Sequence, residues 1–411
     1  MDKIKIGVVG LGRGSNYFEE IEANGAELVA VCESNEKKLK ENLAKLGDNV
    51  AGYTDFDKFI EHDMDAVFLA NFFHEHTALA IRCLEKNIHV LSECTSNATM
   101  GEGVALVRAA EKSNAVYMLA ENYPFMLHNV EIKKIYENGS LGKLLYAECE
   151  YNHPFDANDG ETVLSIRPNV MHWRNFLPRT YYITHSLCPV MHITGARPVR
   201  VTALPCYAPN DEKYFVSPVG DRAAIISTLN DDDSVFRITG CSAFGAHGNY
   251  TRVCGTNGQV ETVRGTDKLM LRYNSWHIPE GKEENNYYTP ELNDADSEGI
   301  ANSGHGGSDF IVMREFLNCI REKRQPVFDV YFATTAASVG ILSHRSLLEK
   351  GVPYDIPDFR KEEDRQKWEN DFLSPFPKAD GTAPDLPCCS HPECKPSQAQ
   401  LDAFKEISEE K

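Results

Sequence analysis

The first 33 residues predict an order of elements that few folds share: a strand, a glycine-rich turn, a helix, and a second strand that ends at an acid. The apolar stretch from Lys3 to Val9 predicts a strand, and it leads at once into the turn Gly10 to Ser15 (GLGRGS). A second apolar stretch, Glu27 to Cys32, ends at Glu33. Because a glycine turn between strand and helix opens a βαβ unit, this order predicts the start of a doubly wound parallel sheet.

The turn has the residue types that a dinucleotide pyrophosphate requires. Gly10 permits a tight turn, Gly12 lets the backbone approach the phosphates, and Ser15 is small enough for the helix to pack on the strand. The helix N-terminus adds free N–H groups. Glu33 lies 21 residues after Gly12, where a carboxylate accepts both ribose hydroxyls and repels a 2′-phosphate. We therefore predict an NAD site, with an ordinary strand-to-helix turn as the alternative. The predicted contacts in this segment are Gly10, Gly12, Arg13, Gly14, Ser15 and Glu33.

Length and charge limit the class of protein. At 411 residues the chain exceeds one ordinary core, so we expect two domains. A net charge of −19 argues against nucleic acid or a membrane as partner. The first residues enter a strand without a signal-peptide pattern, so we expect a cytoplasmic chain. The 12 cysteines are expected to be reduced, and the cluster Cys388 to Cys394 is interpreted as a surface tail or, alternatively, a metal site.

Alternating strand and helix patterns continue to about Asn122 and then give way to longer strands. We predict an α/β protein with a Rossmann doubly wound parallel sheet in residues 1–123. Residues 124–358 are expected to form an α+β domain with an open, largely antiparallel sheet. Residues 359–411 are charged and Pro-rich, without a sustained apolar period, and we expect an extension along the surface or a neighbour.

Ligands of doubly wound sheets bind at the carboxyl ends of the strands. Three segments follow predicted strands in this way: 71–76, 93–95 and 121–123. The cofactor contacts predicted from them are Asn71, Phe73, His76, Glu93 and Asn122.

Over residues 3–358 the chain resembles the Gfo/Idh/MocA oxidoreductases. The resemblance depends on the GLGRGS turn, the helix start at His76, the strand HVLSE that ends at Glu93, and the glycines at 139–142 and 255–258. Such enzymes usually have Glu-Lys-Pro after that strand, with the Lys holding the substrate hydroxyl. Here the triplet is Glu93-Cys94-Thr95, and a thiol cannot replace a fixed ammonium.

The run Tyr182 to Val190 (YITHSLCPV) is similar to the Tyr-x-Thr-His-Gly-Leu-Gly-Pro-Val run of the NAD-dependent α-N-acetylgalactosaminidases, which also lack the Lys. Further matches are Trp173-Arg174, Glu121-Asn122, Tyr250-Thr251-Arg252 and 304–310, whereas Phe125 departs from an expected Tyr. This resemblance implies a glycosidase that oxidises the sugar at C3, eliminates the C1 substituent, adds water and returns the hydride, so that tightly bound NAD is recycled.

The resemblance also implies roles for individual residues. His185 is the implied proton acceptor, and Tyr182 orients it or holds a hydroxyl. The superfamily's usual Asp, four residues before that His, is Tyr181 here. The predicted catalytic residues are His185, Tyr182, Glu93 and His153, the last because it lies at the end of the first predicted strand of the second sheet. The predicted substrate contacts are Arg174, Tyr181 and Tyr250.

Several alternatives stay open. The residues Glu148, Glu150, His153 and His172 either bind a divalent metal or are ordinary polar positions, and we favour the second interpretation. The main rival function is a sugar or polyol dehydrogenase that releases NADH. A second rival is a catalytically inactive NAD-binding sensor. A carbohydrate substrate and a homo-oligomer are expected if the protein is a glycosidase or a dehydrogenase.

Overall fold

A computed structural model describes residues 3–378 and 382–409. The chain forms two compact units, and neither is a continuous stretch of sequence. The first contains residues 1–130, 291–337 and 358–371, and the second contains 131–290, 338–357 and 372–411. Residues 291–337 and 358–371 therefore return to the unit in which the chain begins.

The strands are β1 Lys5–Val9, β2 Glu27–Cys32, β3 Ala51–Tyr53, β4 Ala66–Leu69, β5 His89–Ser92, β6 Tyr117–Leu119, β7 Leu144–Asn152, β8 Pro198–Tyr207, β9 Asp221–Asn230, β10 Val235–Ser242, β11 Gly248–Gly255, β12 Gly258–Thr262, β13 Leu269–Tyr273, β14 Asn285–Tyr288 and β15 Tyr354–Asp355. The helices are α1 Phe18–Ala23, α2 Glu36–Leu46, α3 Phe56–Phe59, α4 His76–Glu85, α5 Met100–Lys112, α6 Leu127–Glu137, α7 Gly160–Ile166, α8 Thr184–Thr194, α9 Ser297–Asn302, α10 Ser308–Glu322, α11 Val330–Leu348, α12 Glu362–Trp368 and α13 Gln398–Glu409. No helix in these described ranges is long and apolar enough to cross a membrane.

The first unit contains a parallel sheet in the order β3-β2-β1-β4-β5-β6. Its central strands are buried along nearly their whole length, as expected for a sheet covered on both faces. The helix α5 begins with a capping box, in which Thr99 and Glu102 satisfy each other's backbone N–H groups. This order is that of the Rossmann fold, and the predicted fold class is confirmed for this unit.

The second unit contains a nine-stranded sheet in the order β14-β13-β12-β11-β7-β10-β9-β8-β15. All neighbouring strands are antiparallel except β7 and β10, which run parallel. The prediction of a largely antiparallel sheet is therefore confirmed. The long strand β7 lies in the middle of this sheet, and its residues Tyr151 and Asn152 lead into the loop that contains His153.

The C-terminal segment has more regular structure than the sequence pattern indicated. The helix α13 buries Phe404, which is 3% exposed, in a cluster with Val163 and Phe215. Leu401 and Ile407 pack against the same cluster. This segment is therefore part of the second unit's packing.

Buried histidines predict a loss of stability in mild acid. His344 in α11 is fully buried, its Nε2 lies 2.7 Å from the carbonyl oxygen of Pro387, and burial lowers its pKa to about 4. Since the folded pKa lies below the unfolded value near 6.5, the stabilisation is present above pH 6.5 and is lost as the pH falls towards 4. We expect the wild type to lose ~2 kcal/mol more unfolding free energy between pH 7 and pH 5 than the variant His344→Gln. Urea titrations at both pH values measure this, and equal losses would contradict it.

Candidate functional site

The glycine turn of the first unit matches a phosphate-binding cradle. Gly10 has a φ of +83°, and a Cβ at this position would lie 2.4 Å from the carbonyl oxygen of Ala70. Its N–H donates to the carbonyl of Cys32 at 2.9 Å, which holds the turn against the neighbouring strand. Gly12 is exposed, and apart from its chain neighbours the described residues place only Lys38 Nζ, at 3.2 Å, within 4 Å of where a Cβ would lie. A ligand can therefore approach the Gly12 backbone, as the sequence predicted for a pyrophosphate.

The close packing between helix and strand occurs at Gly14 and not at Ser15. A Cβ on Gly14 would lie 2.6 Å from Cγ1 of Val8, whereas Ser15 is partly exposed and its hydroxyl lies 3.3 Å from the Gly12 carbonyl. The reason is that the turn opens into a 3₁₀ helix, Gly14–Tyr17, before α1 begins. The role expected for Ser15 therefore belongs to Gly14.

Glu33 lies at the carboxyl end of β2, as predicted. Its Oε2 accepts the Leu11 N–H at 3.0 Å, and its Oε1 accepts the Asn35 N–H at 3.1 Å. The Nζ of Lys38 lies 3.4 Å from Oε2. The carboxylate is thus fixed beside the glycine turn, in the position that the ribose of a dinucleotide requires.

Arg13 contacts acids within its own unit. Its Nε donates to Glu93 Oε1 at 2.9 Å and its Nη2 to Asp309 Oδ1 at 2.8 Å. The same Asp309 oxygen accepts from the Tyr17 hydroxyl at 3.1 Å and from Asn122 Nδ2 at 2.7 Å. Asp309 is 1% exposed, and hydrogen bonds from His305 and Arg13 hold its pKa well below the usual range although burial alone would raise it. Arg13 and Asn122, both predicted cofactor contacts, are therefore joined through one buried carboxylate.

Sequence reasoning had not assigned a role to Asp309. It occurs in the segment 304–310, which was noted only as a match to a family. The detectable signal was an acid in the first turn of a predicted helix, and this signal does not identify a partner almost 300 residues away.

The loop after β5 places a thiol where a Lys was expected. Glu93 Oε2 accepts the backbone N–H of Cys94 at 3.1 Å, and Cys94 Sγ donates to Glu121 Oε2 at 3.1 Å. Glu121 is fully buried and Cys94 is 7% exposed. This loop therefore offers the acceptor Glu93 but no fixed positive charge of its own.

The remaining predicted cofactor contacts lie near the end of β4. Phe73 is buried, and His76 begins α4 with its Nδ1 2.8 Å from the carbonyl oxygen of Thr95. Burial lowers the pKa of His76, and the hydrogen bond with Thr95 opposes this effect. Asn71 follows β4 directly and is partly buried. His76 therefore links the loops after β4 and β5.

The second unit brings Tyr182 and His185 together. The Tyr182 hydroxyl lies 3.0 Å from Nε2 of His185, which belongs to the first turn of α8. Tyr151, at the end of β7, has its ring 5.0 Å from the His185 ring and 6.1 Å from the Tyr182 ring. The sequence predicted the proximity of Tyr182 and His185, and Tyr151 is an additional member of the group.

His153 extends this group towards a loop after β10. Its ring lies 5.6 Å from the ring of Tyr151 and 4.7 Å from that of His247. Burial lowers the pKa of His153, and the charges of His247, His185 and Arg174 lower it further. The lowered pKa favours the neutral imidazole, which is the form that can accept a proton. His247 was missed because it lies in the glycine-rich segment 245–248, which has no regular pattern.

The three predicted substrate contacts have different surroundings. Arg174 is partly exposed, with its guanidinium 4.4 Å from the Trp173 ring, and its charge acts on His153. Tyr181 is 3% exposed and packs against His344 and Phe376, at 5.8 Å and 5.6 Å between rings. The structure therefore places Arg174 beside Trp173, where it is partly exposed, and Tyr181 in the core.

Tyr250 lies on the opposite face of the sheet from Tyr151. In the pairing of β11 with β7, Tyr250 is opposite Glu150 and its neighbour Asn249 is opposite Tyr151. Because side chains alternate between faces, Tyr250 and Tyr151 point to different sides. The Tyr250 hydroxyl donates to Glu261 Oε2 at 2.5 Å. Substrate binding by Tyr250 at the Tyr182–His185 group is therefore not supported.

The carboxylates considered as metal ligands are paired with arginines. Glu148 Oε2 accepts from Arg237 at 2.8 Å, and Glu150 Oε2 lies 2.9 Å from Arg264. Within residues 3–378 and 382–409, no three His, Cys, Asp or Glu side chains are grouped to hold a metal ion. The Cys388–Cys394 cluster lies in this range, and burial raises the pKa of Cys388 to about 12.

Two family models match the chain. Residues 4–121 match the oxidoreductase family Gfo/Idh/MocA, described as an NAD-binding Rossmann fold. Residues 220–369 match the C-terminal domain of glycosyl hydrolase 109.

Similar curated proteins come from Shewanella species. A glycosyl hydrolase family 109 protein of Shewanella sp. (strain W3-18-1) is 24% identical over 90% of this chain and 87% of its own length. An alpha-N-acetylgalactosaminidase of Shewanella oneidensis has the same identity and coverage.

Similar solved structures share the fold. A levoglucosan dehydrogenase in complex with NADH and levoglucosan has a TM-score of 0.74 and 18% identity, covering 87% of this chain and 100% of that chain. The aldose-aldose oxidoreductase of Caulobacter crescentus, complexed with glycerol, has a TM-score of 0.65 and 16% identity, covering 86% and 100%.

Proposed function

We propose that the protein is an NAD-dependent glycosidase, because residues 4–121 match the Gfo/Idh/MocA oxidoreductase model and residues 220–369 match the C-terminal domain of glycosyl hydrolase 109. The observation that carries the proposal is the pair Tyr182 and His185, joined at 3.0 Å in a unit that also positions His153. The thiol of Cys94 in place of a Lys supports the glycosidase branch over a conventional dehydrogenase.

The glycine turn and Glu33 fit the cofactor. The open backbone at Gly12, the crowded Gly10 and Gly14, and the fixed Glu33 carboxylate would hold the pyrophosphate and ribose of NAD. Bound NAD would supply a hydride acceptor that is regenerated in each turnover. We expect it to remain bound during purification, so denatured protein should release about one NAD per chain, the stoichiometry of a single Rossmann site.

The residues of the second unit would handle the protons. His185, oriented by Tyr182, would take the proton of the sugar's C3 hydroxyl as that carbon is oxidised. The resulting ketone acidifies the C2 proton, which neutral His153 would remove while the C1 substituent leaves with its electron pair. Water then adds at C1, the proton returns to C2, and reduction at C3 restores the sugar. Arg174 would hold sugar oxygens with its planar set of donors.

The test follows nitrophenol release and NADH absorbance together, with α- and β-nitrophenyl glycosides and with free sugars. We expect nitrophenol without accumulation of NADH. Stoichiometric NADH from free sugars without nitrophenol would instead make the protein a dehydrogenase. If neither signal appears with any sugar while NAD still binds, the sensor hypothesis gains and the glycosidase is rejected.

A further inference from the structure

Arg167 is a buried cation that has no acidic partner among residues 3–378 and 382–409. It caps α7 at its C-terminal end and is 7% exposed. Its Nε and Nη1 are both buried and have no hydrogen-bond partner among the described residues. An arginine cannot escape burial by losing its proton, because its ordinary pKa lies above 12. A buried charge with unused donors is costly, so this position requires an explanation.

Two aromatic rings hold the guanidinium in place. Its central carbon lies 4.4 Å from the ring centre of Phe155 and 5.3 Å from that of Phe215. These contacts hold the cation but leave the N–H groups of Nε and Nη1 without an acceptor, because a ring face does not accept hydrogen bonds in the plane of the guanidinium. The surroundings therefore position the donors of Arg167 without satisfying them.

The neighbouring charges are also positive. Burial lowers the pKa of Arg167 to about 9, and the charges of Arg179 and Arg174 contribute to this. Arg179 uses its own donors on two backbone carbonyls, those of Asp221 at 2.9 Å and Cys241 at 3.1 Å. The carboxylate of Asp221 accepts the backbone N–H of Ser390 at 2.8 Å and the Ser390 hydroxyl at 2.5 Å. The excess of positive charge around Arg167 is therefore not cancelled by an acid bonded to it.

This positive group lies near the catalytic group, because the Phe155 ring on which Arg167 packs at 4.4 Å belongs to the second residue after His153, and the charge of Arg174 acts on both Arg167 and His153. We propose that the substrate is an acidic sugar or glycoside, whose carboxylate, sulfate or phosphate group binds Arg167 and Arg174. The anion would accept the unused N–H groups of Arg167 and cancel the local charge. This inference rests on the proposed function, since it names the substrate class of the same site.

Direct binding tests the inference without requiring turnover. The NAD-loaded protein is titrated calorimetrically with methyl glucuronide, glucose 6-sulfate, glucose 6-phosphate and, as the neutral probe, methyl glucoside. We expect at least one acidic probe to bind about tenfold or more tightly than methyl glucoside, as for a hydrogen bond to a charged group. In Arg167→Met this preference should disappear, whereas Arg200→Met, which changes an exposed arginine paired with Asp355, should retain it.

Two further arms separate the possible outcomes. Titration with sodium sulfate, phosphate and acetate alone distinguishes binding of a free anion from binding of an acidic group carried by the sugar. Tight binding of these salts with no preference for the sugar would overturn the substrate assignment.

Thermal unfolding of Arg167→Met should show no loss of stability, because Met removes an unpaired charge. A strong loss would indicate a structural role. Equal binding of acidic and neutral probes, together with hydrolysis of neutral glycosides, would reject the inference and retain the glycosidase. Selective binding of an acidic probe without hydrolysis of any glycoside would reject the glycosidase and retain the anion site at Arg167.

Discussion

His185→Ala is expected to lower kcat on a cleaved glycoside by a factor of about 10² to 10⁴, the usual contribution of a general base. The imidazole is the group that Tyr182 contacts at 3.0 Å, and no other side chain in the proposed mechanism would take the C3 hydroxyl proton. Steady-state release of nitrophenol measures the effect, and retained NAD in the purified variant shows that the first unit is intact.

Two variants serve as comparisons for His185→Ala. Tyr182→Phe removes the contact to Nε2 and keeps the ring, so we expect a smaller loss and a shifted pH profile. His277→Ala changes an exposed histidine of the same unit and should leave kcat unchanged. If His185→Ala retained most of the wild-type kcat, the assignment of the base would be wrong.

The second large effect is expected for stability. Asp309→Ala should lower the free energy of unfolding of the first unit by ~3–5 kcal/mol, because it removes the more deeply buried of the two carboxylates that pair with Arg13. The carboxylate accepts hydrogen bonds from Arg13, Tyr17 and Asn122, and its other oxygen lies 2.9 Å from His305 Nδ1. Chemical denaturation of the variant measures the loss of stability, and NAD binding to the variant is measured in parallel.

The control for Asp309→Ala is Asp63→Ala. Asp63 contacts Lys5 but its side chain is 89% exposed, so we expect no measurable loss of stability there. An Asp309→Ala variant as stable as Asp63→Ala would show that Arg13 is adequately paired by Glu93 alone. NAD affinity should fall with Asp309→Ala because Arg13 and Asn122 lose their common anchor.

The elements with strong periodicity were predictable from the sequence. The apolar period predicts one helix over Glu36 to Leu46 and another from about Gly101 to Ser113. The structure has helices at Glu36–Leu46 and Met100–Lys112, so the first has the predicted bounds and the second differs by one residue at each end. The glycine turn and Glu33 were located correctly because the spacing of a βαβ unit is nearly fixed. The short elements Ala51–Tyr53 and Phe56–Phe59 were not predicted, since three or four residues contain too little periodicity.

The missed features depend on contacts between distant parts of the chain. The large apolar residues of α13 among those described are Leu401, Phe404 and Ile407, and their partners lie in residues 155–216. That Arg167 has no acceptor for its Nε and Nη1 in the described part of the chain could not be predicted from the sequence either, because it depends on how distant acids are placed by the fold. The face of Tyr250 follows from the register of β11 against β7, which no local pattern specifies.

The pairing of Arg13 with Asp309 also affects how the protein is made. The two residues are separated by 296 positions, and at the usual 5–20 residues per second of synthesis the acid emerges about 15 to 60 s after the arginine. During that interval the nascent sheet has a cation whose main buried counter-charge has not yet been translated. A ribosome-released fragment ending at residue 123 would therefore be a poor substitute for the first unit, and expression trials of a minimal cofactor-binding domain should extend to residue 371.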